Sequence, residues 1–232
     1  MADDLHKGHR SRMKERFLKE GLDHFSDIQV LELLLFYCIP RQDTNPLAHA
    51  LLNHFGSLSQ VLEAPVEELA KVKGIGENAA VFLHLITEVG RYYLVNRSNQ
   101  LTILPTIEKC AEYMVPYFYG RRNETVFLLC LDAKCKVLCC KEVGEGSVNS
   151  ASISTRKIVE VALGANATTV VLAHNHPSGV ALPSDEDVQT TCRVAAALRC
   201  VEIQLADHII VADDDYISMA QSGGRFRDAL MM

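Results

Sequence analysis

His174-Asn175-His176 is followed after seven residues by Ser184-Asp185-Glu186-Asp187, so two imidazoles, a hydroxyl and a carboxylate fall within fourteen residues. Two neutral imidazoles and one carboxylate give a tetrahedral Zn²⁺ three protein ligands and leave its fourth position open for water, the pattern of a catalytic rather than a structural site. His174, His176 and Asp187 are the candidate ligands. A second reading stands beside this one. Ser184-x-x-Asp187 also has the form of a capping box, in which the serine accepts from first-turn amides and the acid complements the helix dipole. Capping alone would account for both residues, with the histidine pair incidental.

The elements around the motif would bring its parts together. Thr168 to Ala173 is apolar and β-branched and predicts a buried strand, whose alternation puts His174 and His176 on one face at its end. Pro177-Ser178-Gly179 breaks that strand. Pro183-Ser184 opens a helix, Ser184 to Leu198, whose first turn carries Asp187 back toward the histidines.

The spacing H-x-H-x₇-S-x-x-D resembles the signature of the JAMM (MPN-plus) zinc metallopeptidases, and His174-Asn175-His176-Pro177-Ser178-Gly179 is similar to the RadC family in particular. Asp207-His208-Ile209-Ile210-Val211 and Tyr216-Ile217-Ser218 fit that family's C-terminal segment, and Gly74-Ile75-Gly76 fits its N-terminal helix-hairpin-helix. The resemblance implies a JAMM/MPN-type α/β sandwich behind a small all-α helix-hairpin-helix domain. It also implies a zinc-dependent hydrolase of peptide or isopeptide bonds, acting on a protein or peptide, with a glutamate from an earlier strand as general base. Glu124, directly before Thr125 to Leu131, is the expected base, and Glu142 is the reserve. Such a carboxylate would take a proton from the attacking water and return it to the leaving amine. Ser184, if capping does not engage its hydroxyl, would donate to the oxyanion. Asp207 and His208 either fix a ligand's tautomer or make ordinary structural hydrogen bonds, the second being the expectation.

Two lookalikes fail on residues. Zinc nucleoside deaminases need H-x-E and P-C-x-x-C, whereas Asn175 holds the middle position and the chain has no Cys-x-x-Cys. HNH nucleases disperse their three residues over a ββα unit instead of placing them consecutively.

At 232 residues and 48% hydrophobic, the chain has enough apolar surface for one large or two small cores. The polar start offers no signal-like run and no segment suits a membrane span, so a cytoplasmic protein without a membrane partner is expected. The eight cysteines lie inside apolar strand and helix patterns and are expected to be buried reduced thiols.

Residues 1–97 read as helical, including Val30 to Phe36 stopped by Pro40, Leu47 to Phe55, and a helix, glycine hairpin and helix around Gly74 and Gly76. Residues 98–232 read as the metal-binding domain. There, strands at Thr125 to Leu131, Lys136 to Val143, Thr168 to Ala173, Val201 to Leu205, His208 to Val211 and Tyr216 to Met219 alternate with helices from Ser154, ended by Gly164, and from Ser184. That order implies an α/β sandwich with a mixed sheet.

Nucleic acid is the other partner considered. Residues 1–97 hold 11 basic against 13 acidic side chains and residues 98–232 hold 12 against 16, so neither part has the charge of a strong polyanion binder. A glycine hairpin can hold a phosphate at a helix N-terminus, which makes Gly74 and Gly76 candidates, although Glu77 would repel it. Lys7, Arg10, Arg12, Lys14, Arg16 and Lys19 form either a backbone-contacting arm or a solvated helix face. Three functional classes stay open: the zinc hydrolase, a weakly and non-specifically DNA-binding repair accessory or nuclease, and a scaffold with structural zinc. The intact ligand set with a candidate base favours the first.

Overall fold

The computed structural model describes residues 8–40, 42–99, 102–146, 154–213 and 215–231. The chain divides into two compact units, Met1–Val89 and Gly90–Met232. That division falls inside a long helix, whereas the sequence placed the junction at 97/98.

The first unit is helical: α1 (His9–Glu20), α2 (Asp27–Cys38), α3 (Asn45–Phe55), α4 (Leu58–Glu63), α5 (Val66–Leu69) and the start of α6 (Glu77–Ser98). Ser26 and Gln29 close a capping box at the start of α2, whose last turn precedes Pro40. Leu31, Leu35, Leu51, Leu69 and Leu83 meet in one fully buried cluster. Burying each of these leucines contributes about 1.5–3 kcal/mol, which outweighs the weak propensity of four- and six-residue helices. Between α5 and α6 the chain turns at Gly74, where φ is +93°. A Cβ there would lie 2.6 Å from Leu47 Cδ2, so the backbone calls for glycine and a side chain would also oblige Leu47 to shift. Gly76 has no positive φ, so the hairpin uses one left-handed glycine, not two.

The second unit runs α7 (Ile107–Met114), a 3₁₀ turn (Val115–Phe118), β1 (Glu124–Leu131), β2 (Val137–Gly146), α8 (Thr155–Gly164), β3 (Thr169–Asn175), α9 (Asp185–Arg199), β4 (Gln204–Ala212), β5 (Asp215–Ser218), α10 (Met219–Ser222) and α11 (Gly224–Met231). The sheet order is β2-β1-β3-β4-β5, with β3 and β4 parallel and the other neighbours antiparallel, the mixed α/β sandwich expected from the sequence. Alternation divides the sheet's side chains between two cores. Val126, Leu128, Val170, Leu172 and Ile210 face Ile158, Val194 and Leu198 of α8 and α9. Phe127, Leu129, Val171, Ala173 and Val211 face Cys110, Met114 and Phe118 on the other side.

Two local expectations need correction. Val201–Ile203 is not strand: Glu202 takes a left-handed turn (φ 58°), and the two short strands expected between 201 and 211 are the single strand β4. All eight cysteines are free thiols, yet only Cys110 and Cys130 are buried; among the others, Cys139 and Cys140 are half-exposed on β2, an edge strand. Gly164 ends α8 as expected, and the left-handed residue beyond it is Asn166, φ 53°.

No described helix is long and apolar enough to cross a membrane.

Candidate metal centre

β3 ends at Asn175, with His174 fully buried on the α8/α9 face and His176 immediately beyond, held by its N–H to Val211 C=O at 2.8 Å. The two Nε2 atoms lie 2.9 Å apart. Asp187, in the first turn of α9, puts Oδ1 3.1 Å from His174 Nε2 and Oδ2 3.6 Å from His176 Nε2. One ligand atom from each residue fits within a 4.8 Å group. Zinc bonds of about 2.0–2.1 Å in a tetrahedron would separate ligand atoms by roughly 3.3 Å, and the pair of Nε2 atoms and the His174 Nε2–Asp187 Oδ1 pair each come within a few tenths of an ångström of that.

Hydrogen-bond valence then fixes which nitrogens carry protons. Thr191 has one hydroxyl proton, and the Asp187 carbonyl 2.6 Å away can only accept it. Thr191 Oγ1 therefore accepts from His208 Nδ1–H at 2.6 Å, which leaves His208 Nε2 bare. That nitrogen accepts from His174 Nδ1–H at 2.8 Å, which leaves His174 Nε2 bare in turn. His176 Nδ1–H donates to the Val180 carbonyl at 3.0 Å, and its Nε2 is bare for the same reason. With both imidazoles neutral, two lone pairs and a carboxylate thus converge, and a proton bound there competes with a cation for the same place. Such a donor set fits a divalent cation.

Electrostatics agree. Burial acts to raise the Asp187 carboxyl, but bonds to His174 and His176, the charge of His174 and the Ser184 contact outweigh it and hold the group well below the usual carboxylate range. The bond to Asp187 raises His176 above its ordinary value, against burial. Full burial, helped by the nearby His174, drives His208 well below 6.5, so it stays neutral. Protons compete with a metal for Nε2, so metal affinity is full above the raised His176 value and falls as pH drops through it. The apparent affinity is therefore expected to start falling at a pH above about 6.5 and to keep falling below it, as read by chelator competition at a series of pH values. An affinity unchanged from above that value to well below it would contradict the expectation.

Ser184 caps α9 and also binds the ligand. Its Oγ accepts from Asp187 N–H at 3.1 Å, and its N–H and hydroxyl both donate to Asp187 Oδ2, at 2.7 and 2.6 Å. The capping box and the ligand site are one structure, so the two sequence readings coexist. Because the single hydroxyl proton is directed to Oδ2, Ser184 is engaged in orienting Asp187 and leaves Oδ1 to face His174. With the hydroxyl engaged in this way, the condition on which Ser184 was expected to donate to an oxyanion is not met. Ser184→Ala is expected to cost about 1 kcal/mol of stability as a lost cap and to weaken metal binding. Unchanged metal affinity would contradict that.

Of the paired candidates, His208 contacts a ligand and Asp207 does not. Asp207 accepts from His208 N, Ala220 N and the Ser218 hydroxyl (2.7, 2.8 and 2.5 Å), a structural role anchoring β5 and α10 to β4. Thr191 was not singled out in the sequence. Its signal was faint: one helical turn after Asp187, on the same face. Thr191→Val removes the hydroxyl that holds the chain of donors while keeping the volume. It is expected to weaken zinc binding by about 10–100-fold, measured by competition with a chromophoric chelator; less than about threefold would contradict the relay.

Glu124 and Glu142 fall on opposite faces. Glu124 shares the parity of Val126 and Leu128, the face of His174, and its charge acts on His176. Glu142 pairs across the sheet with Phe127, on the other face, where Arg121 bonds it at 3.2 Å.

Several of the basic side chains of α1 are engaged within the helical unit itself. Arg10 donates to the carbonyls of Phe36, Ile39 and Gln42, closing the C-terminal end of α2. Arg16 donates to the His24 carbonyl at 2.5 Å, and Lys14 lies over Tyr37. Arg12 is exposed on α1, and Lys7 lies outside the described residues.

Residues 104–224 match the RadC-like JAB domain model, and residues 5–81 match the UPF0758 N-terminal model. A UPF0758 protein of Fusobacterium nucleatum is 33% identical over 230 residues, covering 96% of this chain and 99% of its own. One of Ruegeria pomeroyi is 34% identical over 217 residues, covering 94% and 97%.

Proposed function

We propose that this chain, which belongs to the RadC-like JAB domain family, is a zinc-dependent hydrolase that cleaves a peptide or isopeptide bond in a protein or peptide. The observation that carries this reading is the convergence of bare His174 Nε2, bare His176 Nε2 and Asp187 Oδ1 at the end of β3, with Glu124 on the same face. Two imidazole nitrogens with one carboxylate oxygen suit zinc, and three protein ligands leave room for a reactant. When bound there, zinc lowers the pKa of coordinated water to ~7 and polarises a carbonyl oxygen.

The chain's own residues do the rest. His174 and His176 hold the cation through Nε2, their orientation set by the bonds at Nδ1. Asp187 supplies the negative charge, and the Ser184 contacts keep one of its oxygens turned inward. Glu124 takes the proton of the attacking water and delivers it to the leaving nitrogen, without which the amine would be expelled as a poor leaving group. A structural zinc would need neither an open position nor a base.

The test is to incubate the metal-loaded protein with a peptide library and with lysine-linked isopeptides, and to detect new amino termini or freed lysines by mass spectrometry. Cleavage abolished by chelation and restored by zinc is the expected result. No cleavage in either set, or cleavage indifferent to chelation, would overturn the reading.

A further inference from the structure

Asn175 stands between the two candidate ligands, yet strand alternation turns its side chain to the opposite face of the sheet, away from the cation site. It is nonetheless buried, with 6% of its surface exposed. Its carboxamide is fully engaged. Oδ1 accepts from Thr125 N–H at 2.8 Å, and Nδ2 donates to the Asn123 carbonyl at 3.1 Å and, at the limit of 3.5 Å, to that of Arg121. The residue between Asn123 and Thr125 is Glu124. Paired residues of β1 and β3 run from Leu131↔Thr169 to Val126↔His174, so beyond Val126 this side chain takes up the pairing that the backbone leaves off.

We infer that Asn175 is a positioning residue that fixes Glu124 against the metal ligands by holding the peptide groups on both sides of it; this rests on the reading of Glu124 as the base. The chemistry asks for an amide. An acceptor for Thr125 N–H and a donor for the Asn123 carbonyl must come from one short planar group, which Asp cannot supply because it has no donor and Ala cannot supply at all. The link is also short. Asn175 shares its backbone with His174 and His176, so the ligands and the base are tied through one side chain instead of through the length of two strands, and they keep the sub-ångström placement that proton transfer requires. Asn123 extends the tie to the edge strand through its own bond to Glu145, 3.1 Å.

Cobalt(II) in place of zinc makes the site visible without a substrate, since its absorption responds to ionisation in the coordination sphere. Full-length cobalt-loaded protein would be titrated with base as native chain, Glu124→Gln, Asn175→Ala, Asn175→Ser and the Glu124→Gln/Asn175→Ala double variant. The expected result is one cobalt per chain throughout. Glu124→Gln and Asn175→Ala should displace the titration midpoint in the same direction by at least about half a pH unit, a roughly threefold change in proton affinity, and the double variant should move it no further than Glu124→Gln alone. A native midpoint in both Asn175 variants, with Glu124→Gln displaced, would overturn the role of Asn175 and leave the base intact. A native midpoint in Glu124→Gln would remove the base and the inference together. Loss of cobalt from both Asn175→Ala and Asn175→Ser would make the residue part of the ligand scaffold and would also overturn it.

Discussion

Purified without chelators, the native chain is expected to carry one zinc ion, and the His174→Ala/His176→Ala variant none. Removing both imidazoles leaves Asp187 as the sole remaining ligand of the set, and one carboxylate oxygen binds zinc from water only feebly. The affinity should fall by at least about a thousandfold. The measurement is metal content by atomic emission after gel filtration, with circular dichroism as a control for folding. The fold itself should survive, because the Ser184 capping box holds the start of α9 and the Val194 and Leu198 contacts of that helix lie deeper in the core. Native protein without stoichiometric metal would sink the assignment. Metal retained in the double variant would place it elsewhere, with the cysteines as the first donors to examine.

Glu124→Gln is expected to lower the hydrolytic rate by about 10²- to 10⁴-fold while leaving zinc content unchanged. The amide keeps the size and the hydrogen-bonding reach of the carboxylate but cannot accept a proton. Glu142→Gln is the matched control. Its carboxylate lies on the other face of the sheet in an ion pair with Arg121, partly exposed, and its loss should change stability by no more than about 1 kcal/mol and the rate by less than about threefold. Rates of the two variants on whichever substrate the native enzyme cleaves decide the matter. If Glu142→Gln were the inactive one, the strand parity that separates the two glutamates would have misassigned the base.

The juxtaposition of the candidate triad was legible in the sequence because its parts are local. His174 and His176 are two residues apart at a strand end, and Asp187 follows within one strand-loop-helix unit, so period-two alternation and a helix start are enough to bring them together. The capping box was legible for the same reason. What sequence offered as competing readings of Ser184 and Asp187 are compatible in the structure, since the cap engages Oδ2 and leaves Oδ1 toward His174.

Other parts of the site depend on contacts that no local pattern encodes. Glu124 and Glu142 stand on the two strands of one hairpin, near its open end, and which of them shares a face with His174 depends on the register of β1 with β3 and on the bulge between Val126 and Phe127 opposite β2; a shift of one residue exchanges the faces. Thr191, His208 and His174 come from three different elements, and the direction of their hydrogen bonds exists only once α9 packs over β3 and β4. Arg10 shows the same limit from the other side. As a charge in a basic run it was a candidate for phosphate, but its nearest acceptors are carbonyls twenty-six or more residues away in the chain. The sequence by itself determined which groups have metal-binding chemistry and that neighbours in the chain would gather them at a strand end. Only the tertiary structure decided which glutamate shares their face and which imidazole nitrogens turn toward Asp187, because register and hydrogen-bond partners are set by residues distant in sequence.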